Sequence, residues 1–173
     1  MSRRFVIEAV MLAIYGQLLA PNRPVEYVIP YSTILELYEM LEGGEPVMPD
    51  SHEDVHVKQK IGELIQYFTD PFNKKKLERA LVGPWQKSAP FPINNDVSLL
   101  IVNVVENAQY GEQFDPIETE QLLLALHQKT PLLTDQTELM EKIIQAEVPV
   151  QVFDIEDYEF ALEEGSMPEG WLL

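Results

Sequence analysis

The chain has 173 residues, 46% of them hydrophobic and 24% charged, which fits a single folded domain with a sizeable core and excludes a disordered chain. It has no cysteine, so disulfide frameworks, thiolate zinc sites and a cysteine nucleophile are excluded. The net charge of −17 falls mostly in the second half, where residues 88–173 hold 2 Lys/Arg against 17 Asp/Glu, while residues 1–87 hold 10 against 12; this balance opposes tight non-specific nucleic-acid binding, which needs cations to neutralise phosphates.

The N-terminus has the outward form of an export signal, with Arg3-Arg4 ahead of an apolar run over residues 5–20. Glu8 interrupts that run, no small-x-small cleavage site precedes Pro21, and the stretch is too short and broken to span a bilayer. A cytoplasmic protein is expected. Residues 4–11 (RFVIEAVM) open as a buried parallel strand that includes Glu8, and residues 12–19 continue as a helix. Pro21 and Pro24 force a turn before the β-rich segment 25–29 (VEYVI). A helix then starts at Ser32 or Thr33, presents Ile34, Leu35, Tyr38 and Leu41, and ends at Gly43-Gly44.

Residues 55–68 have helical apolar spacing at Val57, Ile61, Leu64, Ile65 and Phe68. Asp70-Pro71 restarts a short basic helix that Gly83-Pro84 closes, and residues 86–96 form a Pro/Asn-rich connection. Residues 97–105 (VSLLIVNVV) read as the strongest strand, by length and β-branched content. The remainder predicts a helix over 116–128, a strand over 131–133, a helix over 137–146, a strand over 150–153 and a helix over 156–162. Strands alternating with helices at this spacing imply a mainly parallel sheet covered on both faces. The expected unit is one domain over residues 1–163, followed by a flexible tail over 164–173.

In such sheets, sites form beyond the carboxyl ends of the strands. Four acids fall near those positions: Glu8, Glu36, Asp115 and Asp135. Carboxylates that converge there hold one or two divalent cations, with waters completing the shell and room for a phosphodiester. The same residues also read as helix caps. Asp115-Pro116-Ile117-Glu118 has a capping residue, Pro at the first position and Glu at the third, while Asp135 with Glu138 and Thr33 with Glu36 have similar spacing. Glu8 is the exception, because a carboxylate in so apolar a run must be paired or belong to a site.

Two further patterns stand out. His52-Glu53-Asp54-Val55-His56 matches H-E-x-x-H, but it follows Pro49-Asp50-Ser51 at a helix start and has no evident third ligand, so a zinc protease is the remotest reading. Lys74, Lys75, Lys76 and Arg79, with Trp85 and Lys87 nearby, form a basic cluster that is either a solvated helix face or a contact for nucleic acid. The glycine-rich phosphate-loop and dinucleotide signatures and the G-x-S-x-G elbow are all absent.

Taken in order, FVIEAVML, IPYSTILELYEM, FDPIETEQLLLALHQ, PLLTDQTEL and VPVQVFDIEDYEFAL resemble the successive elements of the PIN domain family, metal-dependent nucleases that include the toxins of many bacterial toxin–antitoxin pairs. The resemblance covers nearly the whole chain to Leu162 and is best from Phe114 onward. It implies a three-layer α/β/α domain with a mainly parallel sheet of four or five strands, and a Mg²⁺- or Mn²⁺-dependent ribonuclease whose metal and catalytic acids are Glu8, Glu36, Asp115 and Asp135. The chain departs from the family pattern at two positions. The first acid is Glu8 rather than Asp, followed by Ala9-Val10 in place of Thr/Ser-Asn, and the Thr-x-Asp register ends on Gln136, with Asp135 one residue early. The alternative expectation is therefore a catalytically inactive PIN-like module that binds RNA or a protein partner. No membrane partner is expected, and a homodimer is left open.

Overall fold

The structure, a computed structural model, describes residues 3–105 and 112–163. The expected tail over 164–173 lies outside the described residues. Among the described residues, the sheet has six strands: β1 (Arg3–Val6), β2 (Val25–Pro30), β3 (Phe91–Pro92), β4 (Val97–Val102), β5 (Leu132–Leu133) and β6 (Val152–Phe153). Their order across the sheet is β3-β4-β2-β1-β5-β6, all parallel except β3, which runs antiparallel to β4. Six strands replace the expected four or five. The extra one, β3, sits in the Pro-rich connection, where Pro92 is tolerated because an edge strand leaves one row of N–H groups unused.

Among the described residues, seven α-helices connect and cover the strands: α1 (Met11–Ile14), α2 (Tyr31–Glu42), α3 (Ser51–Thr69), α4 (Pro71–Ala80), α5 (Pro116–Gln128), α6 (Thr137–Gln145) and α7 (Ile155–Glu163). The strands divide their residues between two faces with the period of two that a pleat imposes. Phe5, Ile7, Tyr27, Ile29, Leu99, Ile101, Leu133 and Phe153 join the core beneath α1, α2, α3 and α7. Val6, Val28, Val102 and Leu132 join the core beneath α5 and α6, with Leu122, Ala125, Leu139 and Ile143. The result is the three-layer α/β/α architecture expected from the alternating elements.

One polar link crosses the larger core. Tyr27 donates its hydroxyl to the Leu18 carbonyl at 2.6 Å and lies 2.7 Å from the Tyr158 hydroxyl, so α7 is tied to the turn after α1. Burial pushes the Tyr27 phenol far above its ordinary value and keeps it neutral.

The topology also locates the region of interest. From β1 the chain steps outward through β2 to β4, then returns to build β5 and β6 on the other side of β1. The order reverses between β1 and β5, and crevices at the carboxyl ends of strands form at such reversals. Among the described residues, no helix is long and apolar enough to cross a membrane.

Candidate acidic centre at the carboxyl ends of the strands

Glu8 occupies the reversal point. It is not within the strand, as the apolar run suggested, because β1 ends at Val6. The Ile7 N–H still bonds to the Val28 carbonyl at 3.1 Å, and the Glu8 carbonyl already accepts from the Met11 N–H as the chain turns into α1. The Ala9 N–H donates to Thr33 Oγ1 at 3.1 Å, and that hydroxyl donates to the Pro30 carbonyl at 2.9 Å. Thr33 is thus not a helix cap paired with Glu36, since α2 starts at Tyr31. It ties the turn after β1 to the end of β2 and so fixes where Glu8 points.

The Glu8 side chain is 7% exposed and accepts a hydrogen bond from Gln136 Nε2 at 2.9 Å. Its pKa is pushed up from 4.5 to about 7, chiefly by burial and next by the charge of Glu36, with smaller contributions from Asp135 and Asp115; the nearby Gln121 amide opposes the rise. Glu36, on α2, is half-buried and also raised to about 7, by burial first and then by Glu39, Asp115 and Glu120. The repulsion between Glu8 and Glu36 is mutual, so it weighs on whichever of the two ionises second. One carboxylate oxygen of Glu36, Oε1, is buried without a hydrogen-bond partner.

The other two expected acids are close enough to act on this centre through their charge, but each is engaged elsewhere. Asp115 caps α5, accepting from the Glu118 N–H at 2.7 Å, while Glu118 accepts from the Asp115 N–H at 2.9 Å. This is the capping box that the spacing suggested, and Lys142 reinforces it with a 3.0 Å ion pair to Glu118. Asp135 does not cap α6, which starts at Thr137 with Gln136 in the N-cap position. Its Oδ2 accepts from the Tyr15 hydroxyl at 2.7 Å, which helps to push the Tyr15 pKa up to about 12, although burial is the larger cause. The Gln136 N–H instead bonds to Thr134 Oγ1 at 3.1 Å, and this tight turn after β5 directs the Gln136 amide to Glu8.

Two residues of the centre carried no motif in the sequence. Glu120, on α5, accepts from Ser32 Oγ and adds its charge to the field at Glu36. Gln121, its neighbour, is 1% exposed. It shares the inward face of α5 with Leu122 and Ala125, and a Gln on that face is the one signal that could have marked it.

The basic cluster divides. Lys74, Lys75 and Arg79 are exposed on α4. Lys76 is half-buried; it donates to the Pro90 carbonyl and lies 4.4 Å from the centre of the Phe91 ring, which fastens α4 to β3. Trp85 stacks on His127 at 4.2 Å and 14°, so one face of its ring is already covered. In the H-E-x-x-H stretch, Asp50 caps α3 through the His52 N–H. Asp54 is buried and accepts from the Val47 and Met48 N–H groups, and His52 and His56 are exposed. Among the described residues, no three His, Asp or Glu side chains are grouped so as to hold a metal ion.

The chain matches no protein-family model, and no curated protein matches its sequence.

Proposed function

We propose that the chain is a PIN-like divalent-metal-dependent ribonuclease whose acidic centre is built on Glu8 and Glu36. The observation that carries this reading is a pair of electrostatically coupled carboxylates, Glu8 at the reversal point of a parallel sheet and Glu36 on α2, both raised to about 7 by burial and by neighbouring acids. Buried like charges are unfavourable on their own, and a divalent cation between them removes the penalty. The donor set fits a hard cation: every candidate ligand is an oxygen, and Glu36 Oε1 is buried and unpartnered. Mg²⁺ keeps several waters and needs only one or two carboxylates, so two acids suffice.

Glu8 and Glu36 would hold the Mg²⁺ or Mn²⁺, with Asp115 and Asp135 adding long-range negative charge. When bound, such a cation lowers the pKa of a coordinated water and offsets charge on the phosphodiester. Thr33 fixes the backbone that carries Glu8, and Tyr15 restrains Asp135. Lys74, Lys75 and Arg79, exposed on α4, would contact the RNA backbone and offset the acidity of the rest of the chain. The C-terminal turn of α4 approaches the start of α2, since the charge of Glu78 helps raise the pKa of Tyr31.

A second reading is a catalytically inactive PIN-like module that binds RNA or a protein partner, and the Gln136 bond to Glu8 favours it. A neutral amide there satisfies the carboxylate without any cation. Incubation of single-stranded RNA with the protein and Mn²⁺ separates the two. The first reading expects cleavage that stops on chelation and falls by at least about 100-fold in Glu8→Gln; RNA left intact, or cut equally by Glu8→Gln, supports the second.

A further inference from the structure

The centre has a polar group that no capping box and no ion pair accounts for. Among the described residues, three buried side-chain polar atoms are without a hydrogen-bond partner: Oε1 of Glu36, and Oε1 and Nε2 of Gln121. Both residues lie beside the same carboxylate. Glu36 raises the pKa of Glu8 by its charge, and the Gln121 amide is close enough to lower it, though outside hydrogen-bond geometry. A buried amide with neither end satisfied is unfavourable, and proteins retain such groups where they meet a ligand.

The helix explains why the amide faces the centre. Glu118, Gln121, Leu122 and Ala125 follow the i, i+3, i+4, i+7 spacing of one face of α5, and all four are buried. Asp115 and Glu118 fix the start of that helix through their reciprocal cap, so the register of Gln121 against β1 is set one turn earlier. Two carboxylates balance the charge of a divalent cation. A third donor that is neutral adds coordination without adding negative charge to a buried site, and Gln carbonyl oxygens are ordinary ligands of hard cations.

We propose, on the metal-dependent reading above, that the Gln121 amide oxygen is the third donor, completing with Glu8 and Glu36 a centre of two carboxylates and one amide for a Mg²⁺- or Mn²⁺-class cation. Asp115 and Asp135 then lie outside the coordination shell, one as a helix cap and the other as the acceptor of the Tyr15 hydroxyl.

The test measures Mn²⁺ binding to the full chain by calorimetry or electron paramagnetic resonance, with a thermal melt of each metal-free variant. Wild type is expected to bind Mn²⁺, and Gln121→Met to bind it about 10- to 100-fold more weakly. Metal-free Gln121→Met should melt above wild type, because its unpaired amide is gone. Gln121→Glu should show the opposite pair, tighter Mn²⁺ binding with a lower metal-free melting temperature, and it carries the test if the Met variant fails to fold. If Gln121→Met binds Mn²⁺ like wild type while Glu8→Gln does not bind it, Gln121 is not a donor and the metal reading stands. Equal or weaker binding by Gln121→Glu likewise overturns the assignment of Gln121. Wild type that binds no Mn²⁺ overturns both.

Discussion

Gln136 Nε2 donates to Glu8 Oε1 at 2.9 Å, joining the loop after β5 to the loop after β1 across 128 residues of sequence. It is a neutral partner for a buried carboxylate, and it favours the charged form that burial opposes. Removing it in Gln136→Leu should push the Glu8 pKa above its present value of about 7. It should also destabilise the protein by about 1–2 kcal/mol above neutral pH, where Glu8 is ionised. Carboxyl carbon chemical shifts followed through a pH titration, with a denaturant melt at each end, check both.

The pH dependence of stability has a definite sign. Glu8 titrates near 4.5 when unfolded and at about 7 when folded, so between those values the folded state binds the extra proton. Stability from this group therefore falls as pH rises through that window and levels off above it. In chelator, the Glu8 contribution alone should be up to about 3 kcal/mol less favourable at the top of the window than at the bottom. Glu36 shifts in the same direction. Asp54, held below its ordinary value of 3.8 by the Met48 and Val47 N–H groups, acts with the opposite sign but only under acid conditions. Glu8→Gln should make the profile shallower, leaving the part due to Glu36, and be more stable than wild type above neutral pH; an unchanged profile would contradict the burial argument.

Asp115 separates capping from ligation. Asp115→Ala removes the acceptor for the Glu118 N–H and should cost about 1 kcal/mol of stability. With Gln121 as the third donor, Mn²⁺ affinity in this variant should stay within about threefold of wild type. A stability loss without an affinity loss, seen by melting and calorimetry on the same sample, is the expected pair.

RNA contact by α4 has an electrostatic signature. Replacing Lys74, Lys75 and Arg79 by Gln removes three exposed charges. If all three meet phosphates, the slope of log affinity against log salt should become shallower by about 2 for a single strand. Lys76→Gln is the control: its ammonium is fastened to Pro90 and Phe91, so it should lower stability more than it alters the salt slope. Fluorescence anisotropy with labelled RNA over a salt series reads both.

Much of the architecture was legible because it is written in local chemistry. Asp115, Pro116 and Glu118 mark the start of α5, and the structure begins that helix at Pro116. Alternating strands and helices gave the parallel sheet and its two covered faces. What was not legible depends on contacts between distant segments. β3 was hidden because its Pro92 reads as a loop residue, and only pairing with β4 makes it a strand. Thr33 looked like a cap, yet its hydroxyl serves the Ala9 N–H, 24 residues away. Asp135 looked like another cap, yet Tyr15, just past the end of α1, reaches it. Of the acidic centre, Glu8 was legible because a charge in an apolar run must have a reason. Gln121 was not, because a Gln within a helix gives no signal until burial removes its partners.

The claim that Glu8 and Glu36 form a divalent-cation centre is tested most directly by anomalous diffraction from crystals grown with Mn²⁺. The expected result is a peak about 2.0–2.6 Å from a carboxylate oxygen of each residue, with the Gln121 amide oxygen turned toward it. An anomalous map with no peak beside Glu8, or with its peak at His52 and His56 instead, would contradict the account.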